Sequence, residues 1–189
     1  PPSVPISAND GPAWRGPTRD GVAATGQNPL VQWSETEGIL WKALIPGRGH
    51  GSPTVVGDRI YLATADSSKK TQAVLCLDRQ AGKIVWQSEV HSSNADPGKH
   101  SNSSAASSTV ACDGERLFIN FLNGGAVHTT ALDLDGKILW QQKICDYVVH
   151  QGFGSSPVIH ESLVLVSADH RGGGVIAGEN EVVGGFLQC

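Results

Sequence analysis

The chain has 189 residues, a formal net charge of −4 and only 17% charged residues, together with 23 glycines and 10 prolines. The weak negative charge excludes electrostatically driven binding to nucleic acid or to an anionic membrane surface, and no apolar run is long enough for a transmembrane helix. A lightly charged chain rich in glycine, valine and threonine, with no long 3.6-residue period, indicates an all-β fold.

The first 29 residues are rich in proline, glycine and serine, and we expect an N-terminal extension or linker there. Repeated elements fill residues 30–178. Residues 179–189 do not continue the repeat, and we expect them to form an atypical, truncated tail.

One repeated element carries a tryptophan. Residues 77–86 and 132–140 both read Leu-Asp, a turn, and then Gly-Lys-Ile-x-Trp, and a degenerate third copy ends at residues 38–42. The tryptophans, Trp41, Trp86 and Trp140, are therefore 45 and 54 residues apart. A second element, at residues 52–62, 108–118 and 156–165, is a short apolar strand, a polar turn and another apolar strand, which predicts a β-hairpin.

Together the two elements predict a unit of four strands. In the first unit we expect strand A around 54–56, strand B at 59–65, strand C at 73–78 and strand D at 83–90. Four short strands repeating every 45–56 residues are typical of a propeller blade. The sequence therefore predicts a partial β-propeller of about three four-stranded blades.

The tryptophans of strand D are best interpreted as packing residues. A blade cannot bury both of its apolar faces alone, and Trp41, Trp86 and Trp140 offer the largest area for filling the wedge between neighbours. Gly82 and Gly136, in the turns between strands C and D, allow the neighbouring blade to approach closely.

Residues 131–140, their counterparts at 77–86 and the opening Trp14–Val22 resemble the PQQ-like, quinoprotein-type repeat family, including its propellers in planctomycete-type bacteria. The family includes quinoprotein alcohol dehydrogenases and outer-membrane assembly lipoproteins, so the resemblance implies a periplasmic or extracellular location. The quinoproteins place a vicinal cysteine pair against the quinone. The cysteines here, Cys76, Cys112, Cys145 and Cys189, are never adjacent, which makes bound PQQ unlikely. They are either buried free thiols or disulfide partners.

Candidate metal ligands fall in the loops that share one face of a propeller. Those in the loops between successive blades are His50, His100 and His150, and those in or near the B–C loops are Asp66, Asp169 and His170. Asn123 also falls near a B–C loop. Imidazole and carboxylate groups could bind a divalent metal, and a metal-bound water could perform hydrolysis. The alternative is that all of them are solvated loop residues. His91 and His128 fall away from this set, and His160 falls on the opposite face.

Three functions are therefore open. The leading hypothesis is a binding or scaffold module without PQQ, the second is a metal-assisted lactone or ester hydrolase, and the third is a quinone-dependent dehydrogenase. Propellers close with about 4–8 blades, so three blades leave apolar faces and strand edges uncovered. We expect the chain to associate with itself or with a missing half.

Overall fold

The computed structural model describes residues 3–95, 103–149 and 151–169, and the backbone of 175–179 and 186–188. These residues form three four-stranded antiparallel sheets, each arranged in chain order. Blade 1 contains β1 (Thr54–Val56), β2 (Arg59–Asp66), β3 (Thr71–Asp78) and β4 (Ile84–His91). Blade 2 contains β5 (Ala111–Cys112), β6 (Arg116–Asn123), β7 (Ala126–Asp133) and β8 (Ile138–Asp146). Blade 3 contains β9 (Val158–His160), β10 (Leu163–Ser167), β11 (Val175–Glu179) and β12 (Phe186–Gln188).

The all-β, partial-propeller prediction is confirmed. In blade 1 the predicted strands agree with the observed bounds to within two residues. A two-residue hairpin joins β6 to β7, where Asn123 pairs with Ala126 across Gly124 and Gly125. Both glycines have positive φ, 57° and 78°, as a two-residue type I′ turn requires.

Two apolar layers fill the spaces between blades. Between blades 1 and 2, Tyr61, Val74 and Cys76 pack with residues of blade 2 such as Leu117 and Ile119. Between blades 2 and 3, the buried residues are Phe118, Leu122, Val127, Ala131, Val164, Val166 and Ala168. The inner strands β1, β5 and β9 contact one another in succession. Each blade is therefore stabilised through its neighbours.

The tryptophans contact the next blade in a repeated way. Trp86 Nε1 donates to the carbonyl of Leu134, at 3.1 Å, and its ring lies over Gly136. Trp41 Nε1 donates to the carbonyl of Arg79, at 3.0 Å, and its ring lies over Gly82. Both glycines have positive φ, 67° at Gly82 and 87° at Gly136. Trp41 and Trp86 thus each pack against the C–D turn of the next repeat and donate a hydrogen bond to it.

Trp140 packs against Phe118 of its own blade, with 6.0 Å between ring centroids, and against the apolar layer between blades 2 and 3. The turn between β11 and β12 corresponds to the turns that Trp41 and Trp86 contact. Its residues, 180–185, lie outside the described part of the chain. Within the range predicted to be an atypical tail, residues 186–188 pair with β11 and form the fourth strand of blade 3.

Residues 30–45, here called the arm, precede blade 1 and form none of its strands. Trp41, Ala43 and Ile45 are half-buried, whereas Leu40, Lys42 and Leu44 are exposed. This alternation is that of a β-strand with one face against blade 1. The described part of the chain has no helix able to span a membrane.

Candidate binding cavity at the inner strands

A cavity of about 560 Å³ lies where the segments entering β1, β5 and β9 meet. Each of the three blades contributes a hydroxyl-rich segment to its wall. The lining includes Trp14, His50, Ser52, Ser107, Thr109, Gly154, Ser155 and Ser156, with the apolar Val158, Leu165 and Val166. The cavity therefore combines many hydrogen-bonding groups with one imidazole and one aromatic ring.

Hydrogen bonds between blades fix the wall of this cavity. The backbone N–H of Ser52 donates to Thr109 Oγ1 at 2.9 Å, and the N–H of Thr109 donates to Ser156 Oγ at 2.9 Å. In addition, Thr54 Oγ1 donates to the carbonyl of Val110 at 2.5 Å. Serine and threonine at the start of each repeat thus join one blade to the next.

His50 is positioned by the glycines on either side of it. Its N–H donates to the carbonyl of Ala106 at 2.9 Å, so its backbone lies directly against the segment that enters β5. A Cβ atom at Gly49 or Gly51 would overlap the carbonyl oxygen of Ala63 or Ser108. Only glycine allows this approach, and the approach places the exposed imidazole of His50 at the cavity.

Of the predicted metal ligands that the structure describes, Asp66 and Asp169 do not line the cavity with His50. Asp66, at the end of β2, accepts hydrogen bonds from the Ser68 hydroxyl at 2.6 Å and the Ser68 N–H at 2.9 Å. The bond from the Ser68 hydroxyl is the main reason that the pKa of Asp66 is lowered. Asp169 accepts a bond from the Ser167 hydroxyl at 2.6 Å. Asp66 therefore caps its own loop, and Asp169 bonds to the last residue of β10.

His100, His150 and His170 lie outside the described residues. Within the described ranges, no group of three histidine, cysteine, aspartate or glutamate residues is arranged to hold a metal ion. The metal-assisted hydrolase stays a prediction, which elemental analysis and substitution of His50 and His150 would test.

Asn123 makes buried hydrogen bonds that join two blades. It is buried, and its Nδ2 donates to Gln72 Oε1 at 3.0 Å and to the carbonyl of Ser93 at 2.6 Å. Gln72 is itself fully buried and donates to the carbonyls of Ala105 and Leu122. The two amides thereby connect β3 of blade 1 to β6 of blade 2.

The sequence did not predict that His91 and His128 lie together. Their ring centroids are 5.2 Å apart, although they belong to different blades. Burial lowers the pKa of His91 to about 4 and also lowers the pKa of His128. The sequence places each histidine on a strand, but it does not specify how the two blades stack, and the contact between the rings depends on that stacking.

Cys76, Cys112 and Cys145 are free thiols. Cys76 and Cys112 are buried, and burial raises the pKa of each thiol to about 11. Each therefore behaves as a small apolar side chain of the core. Cys189 lies outside the described residues.

Comparison with known proteins identifies the repeat. The family model described as outer membrane protein assembly factor BamB matches residues 11–181. A curated protein with the same description, from Burkholderia pseudomallei (strain K96243), is 28% identical over 142 residues. The match covers 73% of this chain and 31% of that protein, so the chain spans about a third of the length of its relative.

A solved structure titled europium-containing methanol dehydrogenase is similar in fold, with a TM-score of 0.52 and 24% identity. The match covers 75% of this chain and 25% of the dehydrogenase chain. The family model, in contrast, matches most of the present chain, including all of blades 1 and 2. The chain therefore belongs to the PQQ-like propeller repeat family described as outer membrane protein assembly factor BamB.

Proposed function

We propose that this chain is a binding or scaffold module that acts without PQQ in the periplasm or another extracytoplasmic compartment. The observation that carries this proposal is the arm, which presents large apolar side chains to solvent. Leu40 and Leu44 are 93% and 94% exposed, and Val31 and Trp33 are 89% and 67% exposed. Clustered exposure of this kind is characteristic of an interaction surface.

The backbone of the arm supports the same role. Residues 39–45 follow a bend at Gly38, where φ is 76°, and within the described part of the chain none of them is paired in a sheet. Their N–H and C=O groups can therefore pair with an added strand, while Leu40 and Leu44 supply apolar contacts on the exposed face. The partner class that fits is a β-strand, and we propose that a second copy of this chain can provide it.

Light scattering tests this role. The unmodified chain at micromolar concentration should be larger than a monomer, and Leu40→Asp with Leu44→Asp should shift it toward the monomer. Val22→Asp is the matched control, because Val22 is also 66% exposed but lies outside the arm. A monomer before substitution, or an equal shift in the control, would contradict the proposal.

The relative's description as an outer membrane protein assembly factor fits a protein that binds other polypeptides. Absence of PQQ is supported by the lack of adjacent cysteines. Its test is dye reduction with added PQQ, calcium and a primary alcohol, for which we expect no turnover above that of a protein-free control. Turnover that depends on both PQQ and this chain would favour the dehydrogenase instead.

A further inference from the structure

The strongest unexplained feature outside the cavity is the histidine pair at the interface of blades 1 and 2. His91 is the last residue of β4, and His128 lies within β7. Their rings are inclined at 64° to each other, and the edge of Phe121 packs against His91 with 6.0 Å between centroids. Two separate blades therefore bring two imidazoles together in a partly apolar setting.

Both imidazoles have an unsatisfied nitrogen. His91 Nε2 and His128 Nδ1 are withdrawn from solvent and make no hydrogen bond of normal geometry among the described residues, although the backbone of Ala126 interacts with the His128 ring and opposes the lowering of its pKa. Only one other side-chain atom in the described part of the chain, Ser108 Oγ, shares this condition. Native proteins rarely leave buried polar atoms without a partner, and a bound ion is one established explanation.

The protonation state of the pair is the one that a metal needs. Burial holds the pKa of both histidines below the usual value, so both rings are neutral at pH 7. For His128, burial is the largest effect on the pKa; the backbone of Ala126 opposes it, and the charge of Lys143, its partner across β7 and β8, adds a smaller lowering. A neutral imidazole keeps one nitrogen lone pair available for a metal.

We propose that His91 and His128 form a two-histidine site for Cu²⁺ or Zn²⁺ between blades 1 and 2. Imidazole nitrogens bind these ions at about 2.0–2.1 Å, so two ligands must lie within roughly 4 Å of each other. Rings with centroids 5.2 Å apart can meet that requirement. No third histidine, cysteine, aspartate or glutamate joins them in the described ranges, so these two imidazoles are the protein ligands of the proposed site.

This arrangement determines the expected binding behaviour. A site with only two protein ligands should bind its ion reversibly, and because both nitrogens are withdrawn from solvent, we expect a chelator to remove the ion only when the blade interface opens. Cu²⁺ should bind more tightly than Zn²⁺, because it stands higher in the general order of affinities for nitrogen ligands. The ion would also link the two blades, since each contributes one ligand.

The test is titration with Cu²⁺ followed by electron paramagnetic resonance, and with Zn²⁺ followed by calorimetry. We expect one equivalent with nitrogen coupling in the copper spectrum, and affinity at least about tenfold lower in the His91→Gln/His128→Gln variant. The matched control replaces the other five histidines: His50, His100, His150, His160 and His170. This five-histidine variant should bind Cu²⁺ and Zn²⁺ with the affinity of the unmodified chain.

Absence of binding to the unmodified chain, or loss of binding in the five-histidine control, would overturn the proposal. Because substitution at a blade interface can disturb folding, a second measurement uses the unmodified chain labelled with ¹⁵N in its histidine rings. Zn²⁺ should shift the ring signals of His91 and His128 first. Shifts confined to other histidines would overturn the proposal equally.

Discussion

Gly136 shows how one residue determines the spacing of two blades. Its φ of 87° is in the left-handed region, and a Cβ atom there would lie 2.8 Å from Cε3 of Trp86. Gly125 has a similar φ of 78° but nothing within 4 Å of its would-be Cβ. Comparing alanine substitutions at Gly136 and Gly125 therefore separates the cost of backbone strain from the cost of contact with the Trp86 ring.

We expect Gly136→Ala to lower the free energy of unfolding by about 2–5 kcal/mol, the sum of left-handed strain and overpacking. Gly125→Ala, the control, should lose only the strain, about 1–2 kcal/mol. Urea unfolding followed by tryptophan fluorescence measures both values. Equal losses in the two variants would show that the Trp86 ring does not constrain Gly136.

At this scale, the sequence was most informative where a residue type has one dominant physical role. Gly136 and Trp86 were assigned to packing from their place in the repeat, and the structure puts the two in contact. The polar residues were harder to assign. Asp66 is a predicted metal ligand and Asn123 a predicted loop residue, but Asp66 caps its own loop and Asn123 bonds to a buried glutamine. Solvation and hydrogen-bond partners depend on neighbours that are distant in sequence.

The outer strands differ in how well their tryptophans are covered. Trp86 packs against the apolar layer between blades 1 and 2, and its ring lies 6.0 Å from that of Tyr61. Trp41 makes the corresponding contact with Gly82, but it belongs to the arm, whose backbone is unpaired in the described structure. The same motif therefore occurs in a completed blade and in an isolated strand.

Trp86→Ala should destabilise the chain by about 3–5 kcal/mol, as expected for loss of a packed aromatic side chain. Trp41→Ala should cost less than half as much, because the arm has few other interactions that depend on it. Thermal and urea unfolding of the two variants measure the difference. If Trp41→Ala were as costly as Trp86→Ala, the arm would have to be an integral strand of the sheet assembly.

Strand positions were predictable because period-two patterning and turn residues act locally. The hairpin between β1 and β2, for example, follows from two apolar runs that flank Gly57 and Asp58. The histidine pair was not predictable by the same reasoning. His91 and His128 meet only because two blades stack at a particular angle, and the repeat alone does not specify that angle.

In the part of the chain that the structure describes, the blades form an array in which β1 contacts β5 and β5 contacts β9. Blade 2 has both of its faces covered, and nearly every residue of β6 and β7 is buried. In blade 3, β10 alternates between buried and half-buried residues. Stability in such an array is set by interfaces between neighbours, so it should vary along the chain.

Native-state hydrogen exchange should reveal this gradient. Amides of β6 and β7 should exchange at least about tenfold more slowly than those of β10, because opening the central blade disrupts two interfaces and opening blade 3 disrupts one. The measurement is best made by mass spectrometry on the Leu40→Asp/Leu44→Asp variant, so that association between copies does not add protection. Uniform protection across β6, β7 and β10 would instead mean that the three blades open as one cooperative unit.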